Sequence, residues 1–132
     1  MSGMAMSRWL VSALAIFSCA GISYAEEFAT PQAVFDSMHA AFRADRAAGV
    51  HARYEFDLSG PQGGRWWIEV RDAKARFGRG QIASADVTFI ASDKDWVALS
   101  NGRLSGAWAT ITGRLKIRGS HALARKLDEM FP

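Results

Sequence analysis

The stretch from Val50 to Arg71 restricts the fold more than any other part of the chain. Val50, Ala52, Tyr54, Phe56 and Leu58 alternate with His51, Arg53, Glu55 and Asp57. Successive side chains of a strand point to opposite faces, so this period predicts a half-buried β-strand. Ser59-Gly60-Pro61-Gln62-Gly63-Gly64 is turn chemistry, and beyond it Trp66, Ile68 and Val70 alternate with Arg65, Trp67 and Glu69. Two such runs around a glycine-rich turn make a hairpin with one apolar face. Trp66 and Trp67 must then point to opposite faces, so one indole is covered by a helix or a partner, or lies exposed as an apolar patch.

Asp72-Ala73 reads as a second turn, Lys74 to Gly78 as a third strand, and Asp86 to Ala91 as a fourth with Val87, Phe89 and Ala91 on one face. That order predicts an antiparallel meander. Upstream, Glu26 to Ala29 reads as an unstructured lead-in. Thr30 is a helix cap and Pro31 falls at the first helical position, where its missing N–H costs nothing. Val34, Phe35, Met38 and Phe42 carry the helix to about Ala48, and Gly49 stops it.

Downstream, Ser92-Asp93-Lys94-Asp95 is a variant capping box opening a short helix through Trp96, Val97 and Leu99 that Gly102 ends. A helical turn follows near Ala107 to Thr112, then a strand at Leu115-Lys116-Ile117. A terminal helix begins at Gly119-Ser120 and carries Leu123, Leu127, Met130 and Phe131. Helix, strands, helices, strand, helix is an α+β order, with helices over one sheet face.

Residues 1–25 read as a secretory signal peptide: Arg8, an apolar run from Trp9 to Ile22, and the small residues Ser23 and Ala25 at a cleavage site after Ala25. A bilayer span needs about 20 residues, more than this run offers. A retained anchor is one alternative. A lipoprotein is another, on the loose lipobox Ile16-Phe17-Ser18-Cys19. Cleavage leaves 107 residues, 26–132, with 15 Lys+Arg against 13 Asp+Glu and no cysteine. That is one weakly basic domain without a disulfide, a thiol catalyst or a cysteine metal site.

Chemistry-bearing motifs are few. Gly78-Arg79-Gly80-Gln81-Ile82-Ala83 has dinucleotide-fingerprint spacing but precedes a strand where the motif needs a helix. Gly60-Pro61-Gln62-Gly63-Gly64 lacks the Lys-Ser/Thr ending of a phosphate loop. His39, His51 and His121 show no metal-ligating spacing, and there is no Gly-x-Ser-x-Gly elbow. Asp93/Asp95 and Asp128/Glu129 read as solvated helix charges. Arg114, Lys116, Arg118, Arg125 and Lys126 form a basic patch that suits nucleic acid, an anionic membrane surface, an acidic partner or only water, and export argues against nucleic acid. No cofactor, metal or catalytic residue is assigned.

Several blocks, in order, resemble the sterol carrier protein 2 (SCP2) domain from Val34 to Phe131: Tyr54-Glu55-Phe56-Asp57-Leu58, Trp67-Ile68-Glu69-Val70, Ala85-Asp86-Val87-Thr88-Phe89, Ser92-Asp93-Lys94-Asp95-Trp96-Val97-Ala98-Leu99, and Gly113-Arg114-Leu115-Lys116-Ile117-Arg118-Gly119 ahead of Leu123-Ala124-Arg125-Lys126-Leu127. Ala73 stands where the family has a turn glycine. The resemblance implies a five-stranded, mainly antiparallel sheet covered by helices, enclosing an apolar tunnel that takes up sterols, acyl chains or other lipids without chemistry. The exported leader points to a bacterial-type member with a quinone, hopanoid, fatty acid or phospholipid as ligand. Apolar residues expected at such a cavity are Phe77, Phe89, Trp108, Ile111, Leu115, Leu127, Met130 and Phe131. The expected function is non-enzymatic lipid binding or transfer outside the cytoplasm. The alternative is a ligand-free interaction module that binds another exported protein.

Overall fold

The computed structural model describes residues 27–132. The leader expected over residues 1–25, and Cys19 with it, lies outside the described residues. The elements are α1 (Pro31–Ala41), a 3₁₀ turn (Ala44–Arg46), β1 (Ala52–Ser59), β2 (Gly64–Arg71), β3 (Lys74–Arg79), β4 (Val87–Ser92), α2 (Asp93–Ser100), α3 (Gly106–Ile111), β5 (Leu115–Gly119) and α4 (His121–Met130). Among the described residues no helix is long and apolar enough to cross a membrane.

The five strands form one sheet in the order β3-β2-β1-β4-β5. β1, β2 and β3 are the expected meander, with Tyr54 opposite Ile68 and Ile68 opposite Phe77. The expectation of a meander throughout fails at β4, which runs parallel to β1 and places Phe89 beside Phe56. The link Gly80–Asp86 therefore crosses from the β3 edge over the outer sheet face instead of turning back. Arg53 Nη1 donates to the Ala83 carbonyl at 2.9 Å and the Ile82 N–H to Glu55 Oε1 at 3.2 Å, which holds this link down. A seven-residue connection carries no hairpin signal, and these polar contacts lie far apart in sequence.

The alternation of β1 and β2 sorts the two faces as its period requires. Tyr54, Phe56, Ile68 and Val70 are buried on the inner face. Outward, Glu69 takes Arg53 at 3.0 Å and Arg76 at 3.2 Å, and Arg65 reaches Glu55 and Asp57. Trp66 is buried inside, where its Nε1 donates to Gln32 Oε1 on α1 and the Arg79 guanidinium lies 4.1 Å from its ring centre. Trp67 lies on the outer face directly across from Gly78. A Cβ at residue 78 would sit 2.2 Å from the indole, so glycine there is what lets the ring lie flat on the sheet.

Thr30, Ser92, Ser105 and Ser120 each accept the N–H three residues on and cap α1, α2, α3 and α4. α1 ends at Ala41, not near Ala48: Phe42 is extended, and the Arg43 N–H donates to the Met130 carbonyl at 2.7 Å. Two expectations for polar segments also change. Asp93 is buried, not solvated, and accepts the N–H groups of Gln62 and Lys94, tying the β1–β2 turn to α2. The lead-in is pinned as well: the Phe28 N–H donates to Asn101 Oδ1 at 2.8 Å, Asn101 Nδ2 returns a bond to the Phe28 carbonyl at 3.0 Å, and Glu27 pairs with Arg103.

Candidate functional site

The helices do not fill the space above the inner sheet face evenly. Towards β2, Phe35 of α1 stacks on Trp66 at 4.9 Å and meets Phe56 edge-on at 5.0 Å, and Phe56 stacks on Phe89 at 5.1 Å. Towards β5 a cleft of about 1030 Å³ remains, at the upper end of the roughly 300–1,000 Å³ usual for small-molecule sites. Val34, Met38 and Ala41 of α1 form one wall, Trp96 and Leu99 of α2 a second, and Ala107, Thr110 and Ile111 of α3 a third. Phe89, Leu115 and Ile117 are the floor, Ala124 and Leu127 of α4 close the far side, and Phe28 and Phe131 lie at the ends. Small residues leave the room: Ala41, Gly106, Ala107 and Ala124 stand where larger side chains would fill it.

α4 decides both the seal and the polarity of the cleft. Its apolar side packs Ala124, Leu127 and Met130 inward. Tyr54, fully buried, donates its hydroxyl to the Leu123 carbonyl at 2.7 Å and fastens the helix to β1. Burial, and next the charge of Asp86, pushes the Tyr54 phenol up to about 12. His121, Arg125 and Asp128 line the cleft at helical spacing and form a polar rim. Burial pushes the Asp128 carboxyl above its ordinary value. Asp95 accepts from Arg114 at 2.7 Å, which holds its carboxyl below the usual range and ties α2 to the start of β5.

Of the residues expected from sequence to face a cavity, Phe89, Ile111, Leu115, Leu127 and Phe131 line this cleft. Phe77 instead stacks on His39 at 4.6 Å and meets Phe131 edge-on, and Met130 is wholly buried in the core. Trp108 is not among the residues lining the cleft and is 57% exposed; Ile111, on its rim, is 77% exposed. Sequence reasoning missed Phe28, Met38, Trp96 and Leu99. The apolar stripes of α1 and α2 do signal buried faces, but a stripe facing a hole has the same spacing as one facing a core. His39, His51 and His121 are all exposed. Among the described residues no group of three or more His, Cys, Asp or Glu is placed to hold a metal ion. An apolar cavity with one polar rim can seat an amphiphile, its tail among the rings and its polar end at α4.

Comparison with known proteins agrees with this architecture. The chain is 36% identical over 88 residues to hydroxysteroid dehydrogenase-like protein 2 of Bos taurus, covering 66% of this chain and 21% of that protein. It thus spans about a fifth of this curated relative. The solution structure of the sterol carrier protein domain 2 of Helicoverpa armigera superposes with a TM-score of 0.59 at 31% identity, covering 73% of this chain and 83% of that one. Sterol carrier protein 2 of Aedes aegypti, solved in complex with palmitate, superposes with a TM-score of 0.52 at 19% identity, covering 74% and 94%. The profile of the SCP-2 sterol transfer family matches residues 35–132, so from α1 to its last residue this chain belongs to that family.

Proposed function

We propose that this protein binds and transfers an apolar, lipid-like molecule outside the cytoplasm, without catalysing a reaction on it. The carrying observation is the cleft of about 1030 Å³ walled by aromatic and aliphatic side chains within an SCP-2 domain. Burying a hydrocarbon tail there yields about 0.8 kcal/mol per CH₂ before ordering costs, so affinity needs no charged anchor. The palmitate complex of the Aedes aegypti relative supports an acyl chain as one ligand class, with sterol-like molecules, quinones and phospholipids as the others. The signal-peptide pattern of residues 1–25, in the manner of a bacterial exported protein, supports removal of the leader after Ala25 and work by residues 26–132 in the periplasm or beyond.

Loading requires contact with a membrane. In support, Trp108 and Ile111 are exposed together on α3 beside the mouth. Arg125, on the cleft rim, has no acidic partner among the described residues, which suits an anionic lipid surface.

Native mass spectrometry of the protein isolated from its exported fraction, with extraction of whatever co-purifies, tests the reading. A discrete apolar mass is the expected result. Protein that stays empty and refuses added fatty acid, quinone and phospholipid would replace it with an interaction module using the Trp108 surface.

A further inference from the structure

From Leu104 to Gly113 the chain carries ten residues without a charge, the longest such run between residues 26 and 132. α3 is its centre. Only Leu104 and Ala109 are buried; the other eight, Trp108 and Ile111 among them, are exposed. A surface helix ordinarily turns polar side chains outward. This one turns out an indole and a branched alkyl group, and bonds its polar groups to one another. The Thr110 hydroxyl donates to the Gly106 carbonyl and the Thr112 hydroxyl to the Trp108 carbonyl, both at 2.8 Å. Ser105 Oγ accepts the Trp108 N–H at 3.0 Å, and the Ala109 and Thr110 carbonyls accept the N–H groups of Arg114 and Gly113. Taking this segment out of water therefore leaves few polar groups unpaired, which is the condition for entering hydrocarbon.

The same helix is the lip of the cleft. Gly106, Ala107, Thr110 and Ile111 line the cavity, and Ile111 is also the most exposed large apolar side chain, so the outer apolar surface continues into the inner one through it. Charge stands only at the edges. Arg103, tied to Glu27, and Arg114, tied to Asp95, bracket the run, and Arg125 lies on the α4 rim with no acidic partner among the described residues. We infer that α3 is the element that enters the membrane: it sinks into the acyl layer of an anionic bilayer, with Arg125 at the headgroups, and the ligand passes sideways from among the lipid chains into the cleft past Ala107 and Ile111, never crossing water. This rests on the reading of the cleft as a lipid site and adds its route of entry. A folded protein seated on this face would leave the cleft as a void beside the contact, whereas acyl chains can follow the surface inward. Trp108, a large apolar ring with one N–H, suits the boundary between headgroups and chains. The exposed guanidinium groups of Arg103 and Arg114 stay with the headgroups and limit the depth.

Two readouts on the protein isolated from its exported fraction test this, with vesicles of phosphatidylcholine and phosphatidylglycerol and a pyrene-labelled fatty acid as the probe. Lipids brominated on their acyl chains are expected to quench tryptophan emission, and most of that quenching is expected to be lost in Trp108→Phe. The rate of probe transfer from donor to acceptor vesicles is expected to rise with acceptor concentration and to fall about tenfold in Trp108→Glu, whose charge resists burial in lipid. Uptake of the probe from vesicle-free buffer is expected to be the same in Trp108→Glu as in the native chain, because residue 108 does not line the cleft. Transfer at a rate indifferent to acceptor concentration, emission untouched by bromine, or quenching that survives Trp108→Phe overturns the inference while the carrier reading stands. So does a dimer in analytical ultracentrifugation that Trp108→Glu dissolves, since the face then belongs to a second copy. A protein that takes up no probe from either buffer or vesicles overturns both.

Discussion

The two ends of the inner sheet face use the same kinds of residue to opposite effect. Towards β2, rings of Phe35, Phe56, Trp66 and Phe89 lie about 5 Å apart and α1 is stitched to the strands through Gln32. Towards β5, Met38, Leu99, Ile111 and Leu115 face a cleft. Apolar composition does not distinguish them. The side-chain volume does: the helices over the cleft present Ala41, Gly106, Ala107 and Ala124 where larger residues would fill the gap, and long-range polar latches hold them in place. Stability resides mainly in the packed end and specificity in the open end.

Mutations at the two ends sharpen this contrast or break it. Phe56→Ala, which empties the centre of the packed end, is expected to cost about 3–5 kcal/mol in denaturant unfolding. Next in size is an alkaline effect at the seam. The Tyr54 phenol stays protonated to about pH 12 in the folded chain while an unfolded tyrosine ionises near 10. Its contribution is therefore complete below pH 10 and lost as pH rises towards 12, by about 1–2 kcal/mol after allowance for solvent screening. Subtracting the stability curve of Tyr54→Phe isolates this slope from that of the lysines; parallel curves would refute it.

Asn101→Ala removes both bonds to Phe28 and is expected to cost only about 1 kcal/mol, yet to speed ligand release several-fold in stopped-flow displacement. The smallest effect on stability belongs to Met38→Ala on the cleft wall, below about 1 kcal/mol because it opens no new void, with ligand retention falling several-fold. If Met38→Ala destabilised the ligand-free protein as much as Phe56→Ala, the distinction between a packed and an open end would collapse.

Whatever was local in the chain could be read from it. The β1–β2 alternation, the capping roles of Thr30, Ser92 and Ser120, and the amphipathic terminal helix all depend on neighbours within a few residues, and the family blocks follow the same elements. The features that escaped depend on distant partners. α1 stops at Ala41 because Arg43 is held by Met130, and the lead-in is ordered because Asn101 and Arg103 hold it from 73 and 76 residues away. The parallel placement of β4 follows from a link that crosses the sheet. Trp67 posed a correct question, how an outward indole is accommodated, whose answer is Gly78 on the next strand. The cleft is the least legible feature, since absent atoms leave no mark on residue spacing.

The crossover link also has a consequence for the order of assembly. β1, β2 and β3 are joined by tight turns and can pair early, whereas β4 reaches its place beside β1 only after the chain has closed a longer loop, an entropically slower event. α2, α3, β5 and α4 all come after that step. In pulse-labelling hydrogen exchange the amides of β1 to β3 should accordingly gain protection before those of β5 and α4. The binding space is thus a late product of folding, and the growing chain has no compartment for cargo until α4 docks.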